Sequence, residues 1–289
     1  MKERISRISN ILTSQEIRIL PGNLAYSFFL SIIPIISLLF YFLTSFNLPM
    51  NTIQNFLVKT FPSNVVEFLQ PVFTSELTGG SVLTIVLSLV VMTNGCNAII
   101  LASNTIFHFE NSSFLKRMIK SLVLTIILIL LIAFIMIVPL FGRSIINLIG
   151  MFTDFISINR ENIDALYTIL QIPVSLLIMF YIIKLVYVIA PDEKVSSKYM
   201  NKGAFFTTIS WLIVTIGYSY YINNIARYDL VYGNLANIVI LLFWFYVLAY
   251  IFVIGLYLNK NKAEAGIEKT NRIKLDEIRK KIREEQNKK

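Results

Sequence analysis

Charge is what this chain has least of. Asp, Glu, Lys and Arg make up only 15% of its 289 residues, where a soluble domain carries about 25%. Hydrophobic residues make up 56% and mean hydropathy is +0.68, so there is too little polar surface to cover a water-soluble globule. Thiols and imidazoles are as scarce. One cysteine, Cys96, excludes an internal disulfide framework and a cysteine-based zinc site, and one histidine, His108, argues against a histidine-rich metal centre. No glycine-rich phosphate loop is present, so ATP hydrolysis is excluded. No Ser-His-Asp set can be assembled around a lone histidine. No cofactor is expected. The reading is an integral membrane protein.

Six windows approach the roughly 20 apolar residues that a helix needs to cross a bilayer. They cover residues 24–46, 81–106, 121–141, 165–189, 204–222 and 235–258, and Lys184 in the fourth is the only charge in any of them. The alternating pattern of an outer-membrane barrel is missing. Pro34, Pro139 and Pro173 fall inside windows, where neighbouring helices can re-satisfy a kinked backbone. The expected fold is therefore an all-α bundle of six transmembrane helices with interfacial amphipathic helices and a basic cytoplasmic C-terminal helix. Residues 1–20 form the head, 21–259 the membrane domain and 260–289 a basic tail. Charges before Leu20 interrupt any signal-peptide core. Ile5, Ile8, Leu12 and Ile19 give the head near-helical spacing, as a surface helix or a disordered tail.

Lys and Arg in short loops set orientation. Twenty-one basic residues fall on the side of the two termini and four (Lys59, Arg143, Arg160, Arg227) on the other. Without the tail the bias is still ten to four. Both termini are expected in the cytoplasm and the protein in the plasma (inner) membrane. The net charge of +9 then reflects topology and attraction to anionic lipid headgroups, not a specific nucleic-acid partner. Homo-oligomerisation is left open. The tail places Ile267, Leu275, Ile278 and Ile282 at near-heptad spacing, as a helix along the membrane or against a partner, or as a solvated segment. The loop between residues 47 and 80 is rich in apolar residues, as an interfacial anchor or a cap over a cavity.

None of the seventeen carboxylates lies deep in a window, which removes the usual route to proton or sodium coupling. Asp192–Glu193 reads as a solvated turn after Pro191. The polarity within the windows is uncharged instead. Asn94, Asn97 and Asn104 lie on one helical stripe that ends at His108. Amides are costly against lipid, so the stripe should face other helices or water, as interhelical glue or as a substrate path. Lys184 is expected to snorkel toward the nearby interface. Aromatics crowd the sixth window and the loop before it, among them Tyr232, Trp244 and Tyr246.

Several stretches resemble the YihY/BrkB family of bacterial inner-membrane proteins. Ala25-Tyr26-Ser27 through Ser31 and Pro34 is similar to its opening span, and Asn104 with Ile106-Phe107 to the end of its second. From Pro191 onward the order Gly203-Ala204, Trp211, Tyr220, Tyr232-Gly233, Trp244, Tyr246, Gly255, Asn259 follows the family's pattern. The resemblance implies six spans and a plasma-membrane location. Some members have been described as ribonuclease BN, acting on tRNA, others as serum-resistance factors, and transport of lipids or other amphiphiles has been entertained. Tyr257 stands where members commonly carry Glu, and Val188 where they carry a basic residue, with Lys184 one turn away. The substrate-path candidates are thus Asn94, Asn97, Asn104, Lys184, Tyr232, Trp244, Tyr246 and Tyr257. The reading is a non-enzymatic transporter of an amphiphile, with a scaffold that recruits partners through its tail as the alternative and a membrane-associated ribonuclease disfavoured.

Overall fold

The computed structural model describes residues 15–45, 58, 62–74, 82–131, 160–224 and 234–286. The first fourteen residues of the head, Tyr232, and the third window beyond residue 131 lie outside these.

Among the described residues all regular secondary structure is helical, without a strand. In chain order the helices are α1 (Gln15–Ser45), α2 (Ser63–Thr74), α3 (Val82–Phe107), α4 (114–131), α5 (Arg160–Ile189), α6 (Asn201–Asn224) and α7 (Asn234–Gln286), with a 3-10 turn at Ser197–Tyr199 before α6. Four of them are long and apolar enough to cross a membrane, over Gln15–Leu38, Val86–Phe107, Asn201–Asn224 and Ile238–Gly266. In α5, among the residues whose side chains are described, the apolar stretch is Pro173–Ile189. Helices outrun the charge-free windows because a window stops at the first charge, whereas a helix stops only when its backbone bonding does. Thus α1 starts at Gln15 and passes through Pro21 and Pro34. Likewise α7 continues as one 53-residue helix past the last apolar residue to Gln286.

α7 is the central element. It packs against α1, α3 and α6; α1 packs in turn on α3, and α5 on α6. Large apolar side chains point outward, among them Val86, Leu87 and Val90 on α3, Ile213 and Ile216 on α6, and Val239 and Phe243 on α7. The interior mixes apolar residues such as Leu24, Ile100, Leu241 and Leu256 with small or hydroxylated ones such as Ala25, Ala98, Ala102, Ala204, Thr207 and Ala249. That distribution suits a lipid solvent. Tails are as apolar as leucine, so helix association rests on close backbone approach and interhelical hydrogen bonds.

The tightest approach is between α6 and α7. A Cβ on Gly203 would run into the Gly255 carbonyl, and a Cβ on Gly255 would meet the Thr207 hydroxyl and the Tyr187 phenol. Buried polar groups surround the crossing and all are paired. Gly203 N–H donates to Asn259 Oδ1 at 2.9 Å and Asn259 Nδ2 donates to Met200 O at 3.3 Å. Tyr187 Oη lies 2.8 Å from Thr207 Oγ1 and donates to Phe252 O at 2.8 Å. α5, α6 and α7 are thereby locked at one end.

In the stretch between α1 and α3, α2 turns Val65 and Leu69 onto the bundle, where both are fully buried. Its Phe68 ring sits 5.5 Å from that of Phe29 on α1.

Substituting Gly255→Ala should cost about 1–3 kcal/mol by overpacking. A thermal unfolding midpoint in detergent should fall for Gly255→Ala and stay at the wild-type value for Gly217→Ala, since nothing lies within 4 Å of a Cβ at Gly217.

Candidate functional site

The polar residues of α3 are placed by how the helix ends. His108 adopts φ 54°, Phe109 N–H donates to Asn104 O at 2.9 Å and His108 N–H to Thr105 O at 3.3 Å. This is a Schellman cap, and beside it the ring centroids of Phe107 and Phe109 lie 5.5 Å apart. A residue with a Cβ in the left-handed region costs about 1–2 kcal/mol. The cap throws the chain back over the helix end and carries Asn111 and Ser112 toward Asn104.

Asn104 is fully buried. Its Nδ2 donates to Asn111 Oδ1 at 2.9 Å and to Asp192 Oδ2 at 2.7 Å, and its Oδ1 accepts from the Asp192 N–H at 2.8 Å. The Asp192 carboxylate also accepts from Ser112 N–H at 2.9 Å and from Lys120 Nζ at 3.0 Å, while Lys120 reaches Pro191 O at 2.5 Å. Burial would by itself raise the Asp192 carboxyl. Hydrogen bonds from Ser112, Lys120 and Asn104, together with the Lys120 charge, outweigh it and hold the group below its ordinary value. The solvated turn expected at Asp192 is not what forms. With its side chain only 11% exposed, Asp192 is the joint between α3, the start of α4 and the segment after α5.

Seven residues before Asn104 on α3, Asn97 does something different. Its Oδ1 accepts from Arg117 Nε at 2.9 Å, so the guanidinium is drawn back from α4 onto the side of α3. Arg117 Nη1 makes only a long contact, 3.5 Å, to Ser112 O. Among the described residues the sole ion pair is Lys120–Asp192, so Arg117 has no carboxylate partner there. Asn94, one turn further along α3, is exposed on the bundle surface. The amide stripe therefore runs from a buried joint at Asn104, through an anchored cation at Asn97, to an open amide at Asn94. An uncompensated guanidinium with free N–H edges can take a phosphate or carboxylate.

The other candidates lie apart from this stripe. Lys184 does not reach toward Ile189. Its Nζ lies 6.0 Å from the Phe180 ring centroid and 5.8 Å from that of Tyr181, one turn back along α5. Trp244 is buried and stacks on Tyr218 at 5.6 Å, and Tyr246 sits 6.2 Å from Tyr250 on the surface of α7. Tyr257 lies under Lys260, whose Nζ is 5.3 Å from the ring centroid and 2.6 Å from His108 Nε2. Sequence reading missed Arg117, which it counted only as a topological charge, and the roles of Asn111, Ser112 and Asp192. The one available signal was a hydrogen-bonding amide on an apolar helix, which demands partners without naming them. Among the described residues no three His, Cys, Asp or Glu side chains gather where they could hold a metal ion.

Residues 10–275 match the sequence profile described as virulence factor BrkB. The chain is 29% identical over 245 residues to a ribonuclease-like protein, YfkH, of Bacillus subtilis, a match covering 82% of this chain and 87% of that one. It is 31% identical over 93 residues to a UPF0761 membrane protein of Pseudoalteromonas translucida, covering 32% of this chain and 31% of that one. A UPF0761 membrane protein of Chromobacterium violaceum is 29% identical over 96 residues, 33% of this chain and 23% of the relative. No solved structure matches the chain.

A group whose folded-state pKa is depressed contributes its stability in full above its unfolded value and loses it as pH falls through the folded one. Asp192 should therefore contribute fully at pH 7 and lose its contribution only below the ordinary 3.8. Asp192→Asn should lower stability at pH 7 by about 1–3 kcal/mol. Unfolding midpoints measured from neutral to acid pH should show the gap between wild type and Asp192→Asn closing only at the acid end.

Proposed function

The chain belongs to the BrkB family of integral membrane proteins, and on that footing we propose that it binds an amphiphile with an anionic headgroup and passes it between the leaflets of the plasma membrane. The observation that carries this reading is Arg117, held at Nε by Asn97 and left without a carboxylate partner among the described residues. The guanidinium faces the same stripe as the exposed Asn94. A lipid phosphate would meet the open N–H edges bidentately, and its headgroup would continue onto Asn94. Its chains would lie against the outward apolar residues of α3 and α4, such as Val90, Leu122, Val123 and Ile126, all exposed. In this reading six spans complete the bundle and both termini face the cytoplasm, which puts Arg117 at the inner leaflet. Without a nucleotide-binding loop, movement follows the lipid gradient.

The chemistry favours a non-enzymatic role. YfkH is called ribonuclease-like, but hydrolysis needs a base or a metal cluster beside the phosphate. Asp192, the carboxylate best placed at this end, has both oxygens engaged by Lys120, Asn104 and Ser112. A scaffold is the second reading, favoured by the continuation of α7 as helix to Gln286 through a run of basic residues.

The test is a headgroup-accessibility assay with anionic phospholipid in liposomes. Wild type and Lys116→Gln should expose labelled lipid at similar rates, and Arg117→Gln about tenfold more slowly, the loss expected for one charge-assisted bond. Asn97→Leu, which frees the guanidinium, should fall between them. Each of the two glutamine variants removes one positive charge from the first turn of α4, so a topological effect would strike both. Equal rates for protein-free and wild-type liposomes would leave the scaffold reading.

A further inference from the structure

A second polar site lies at the end of the bundle opposite Asp192, where α2 crosses α6 and α7. Tyr218 is about 25 Å along α6 from Asn201, at 1.5 Å rise per residue. There Ser63 Oγ donates to Asn223 Oδ1 at 2.8 Å and Asn64 Nδ2 to Tyr218 Oη at 2.5 Å. The Tyr218 ring stacks on Trp244, with centroids 5.6 Å apart and planes 25° off parallel. Phe29 closes the space beneath, 5.5 Å from Phe68 and 6.4 Å from Phe245.

Two polar atoms in this cluster have no partner. Asn64 is 2% exposed and Trp244 5% exposed, yet Asn64 Oδ1 and Trp244 Nε1 make no hydrogen bond. Exchanging the amide oxygen and nitrogen of Asn64 would let Tyr218 donate, but it would leave the nitrogen unpaired instead. A buried polar atom without a partner is a rare and costly feature, and here an acceptor and a donor flank the same tyrosine on three helices. A group that both donates and accepts, such as a hydroxyl, answers both. The position within the span means that such a group arrives from the membrane, and the aromatic surround suits a group carried on a sugar or glycerol.

We propose that Asn64, Tyr218 and Trp244 form a binding site for a hydroxyl-bearing, uncharged lipid headgroup, covered by α2. This site stands whether or not lipid crosses the membrane, since it is separate from Arg117 and needs no anion.

The chain has two tryptophans, so Trp211→Phe leaves Trp244 as the sole reporter. That protein is placed in nanodiscs of phosphatidylcholine, whose headgroup has no hydrogen-bond donor, and glucosyl diacylglycerol is titrated in. Trp244 emission should change saturably, and the half-saturating glycolipid fraction should rise about tenfold with Asn64→Leu. Tyr218→Phe keeps the stacked ring and removes the hydroxyl that holds Asn64, so it should weaken the response without the packing change of Asn64→Leu. Methyl glucoside added to phosphatidylcholine nanodiscs should leave emission unchanged. No response to glycolipid, a response undiminished in both variants, or the same response to methyl glucoside would overturn the proposal.

Discussion

A bilayer offers no water to a stranded polar atom, so each buried amide, hydroxyl and charge must find its partner within the protein. At one end of this bundle a single carboxylate meets that demand for three segments. Asp192 accepts from Asn104 on α3, from the Ser112 amide ahead of α4 and from Lys120 within α4. Its own N–H returns a bond to Asn104. With α3 and α4 fixed to each other there, the side chain of Arg117 is long enough to fall back along α3 to Asn97. The cation anchored on Asn97 is thus a consequence of the joint beside it. Losing the joint would free α4 and, with it, the guanidinium.

The rest of the bundle is held by proximity. Between α6 and α7 the backbones approach until only glycine fits at Gly203 and Gly255. Tyr187 and Asn259 then reach carbonyl and amide groups that a larger residue would shield. Dispersion at short range replaces the hydrophobic drive that lipid cannot provide. At the opposite end the packing is as close, yet Trp244 and Asn64 keep unpaired atoms among the rings. The end held by the Asp192 carboxylate and the end with an unpaired amide oxygen and indole N–H belong to one bundle.

Much of the helical architecture could be read from charge alone, because a charge is expensive in lipid and an apolar run of about twenty residues without one is the mark of a membrane span. The windows at 81–106, 165–189 and 204–222 fall within a few residues of α3, α5 and α6. A helix in the tail was expected from its near-heptad apolar spacing, but its fusion with the sixth span into one α7, and the run of α1 from Gln15 straight into the first span, were not visible, since helix propensity does not end where apolarity does. At the site, the amides on α3 stood out because they contradict their surroundings. Their partners did not. Asp192 is 88 positions from Asn104 and Arg117 20 positions from Asn97, and nothing local to either residue records the pairing. The stripe was expected to face protein or water as a unit, yet it divides: Asn104 is buried, Asn97 half-buried and Asn94 exposed. Lys184 was expected to extend toward the interface, and the rings of Phe180 and Tyr181 hold it back.

The function proposed for this bundle turns on whether the Arg117 guanidinium holds an anionic lipid headgroup. Native mass spectrometry of protein purified in mild detergent reads that directly, as the phospholipid mass retained per chain. Wild type and Lys116→Gln should carry bound anionic phospholipid to the same extent, and Arg117→Gln about tenfold less for the loss of one charge-assisted contact. Equal lipid occupancy in Arg117→Gln and wild type would contradict it.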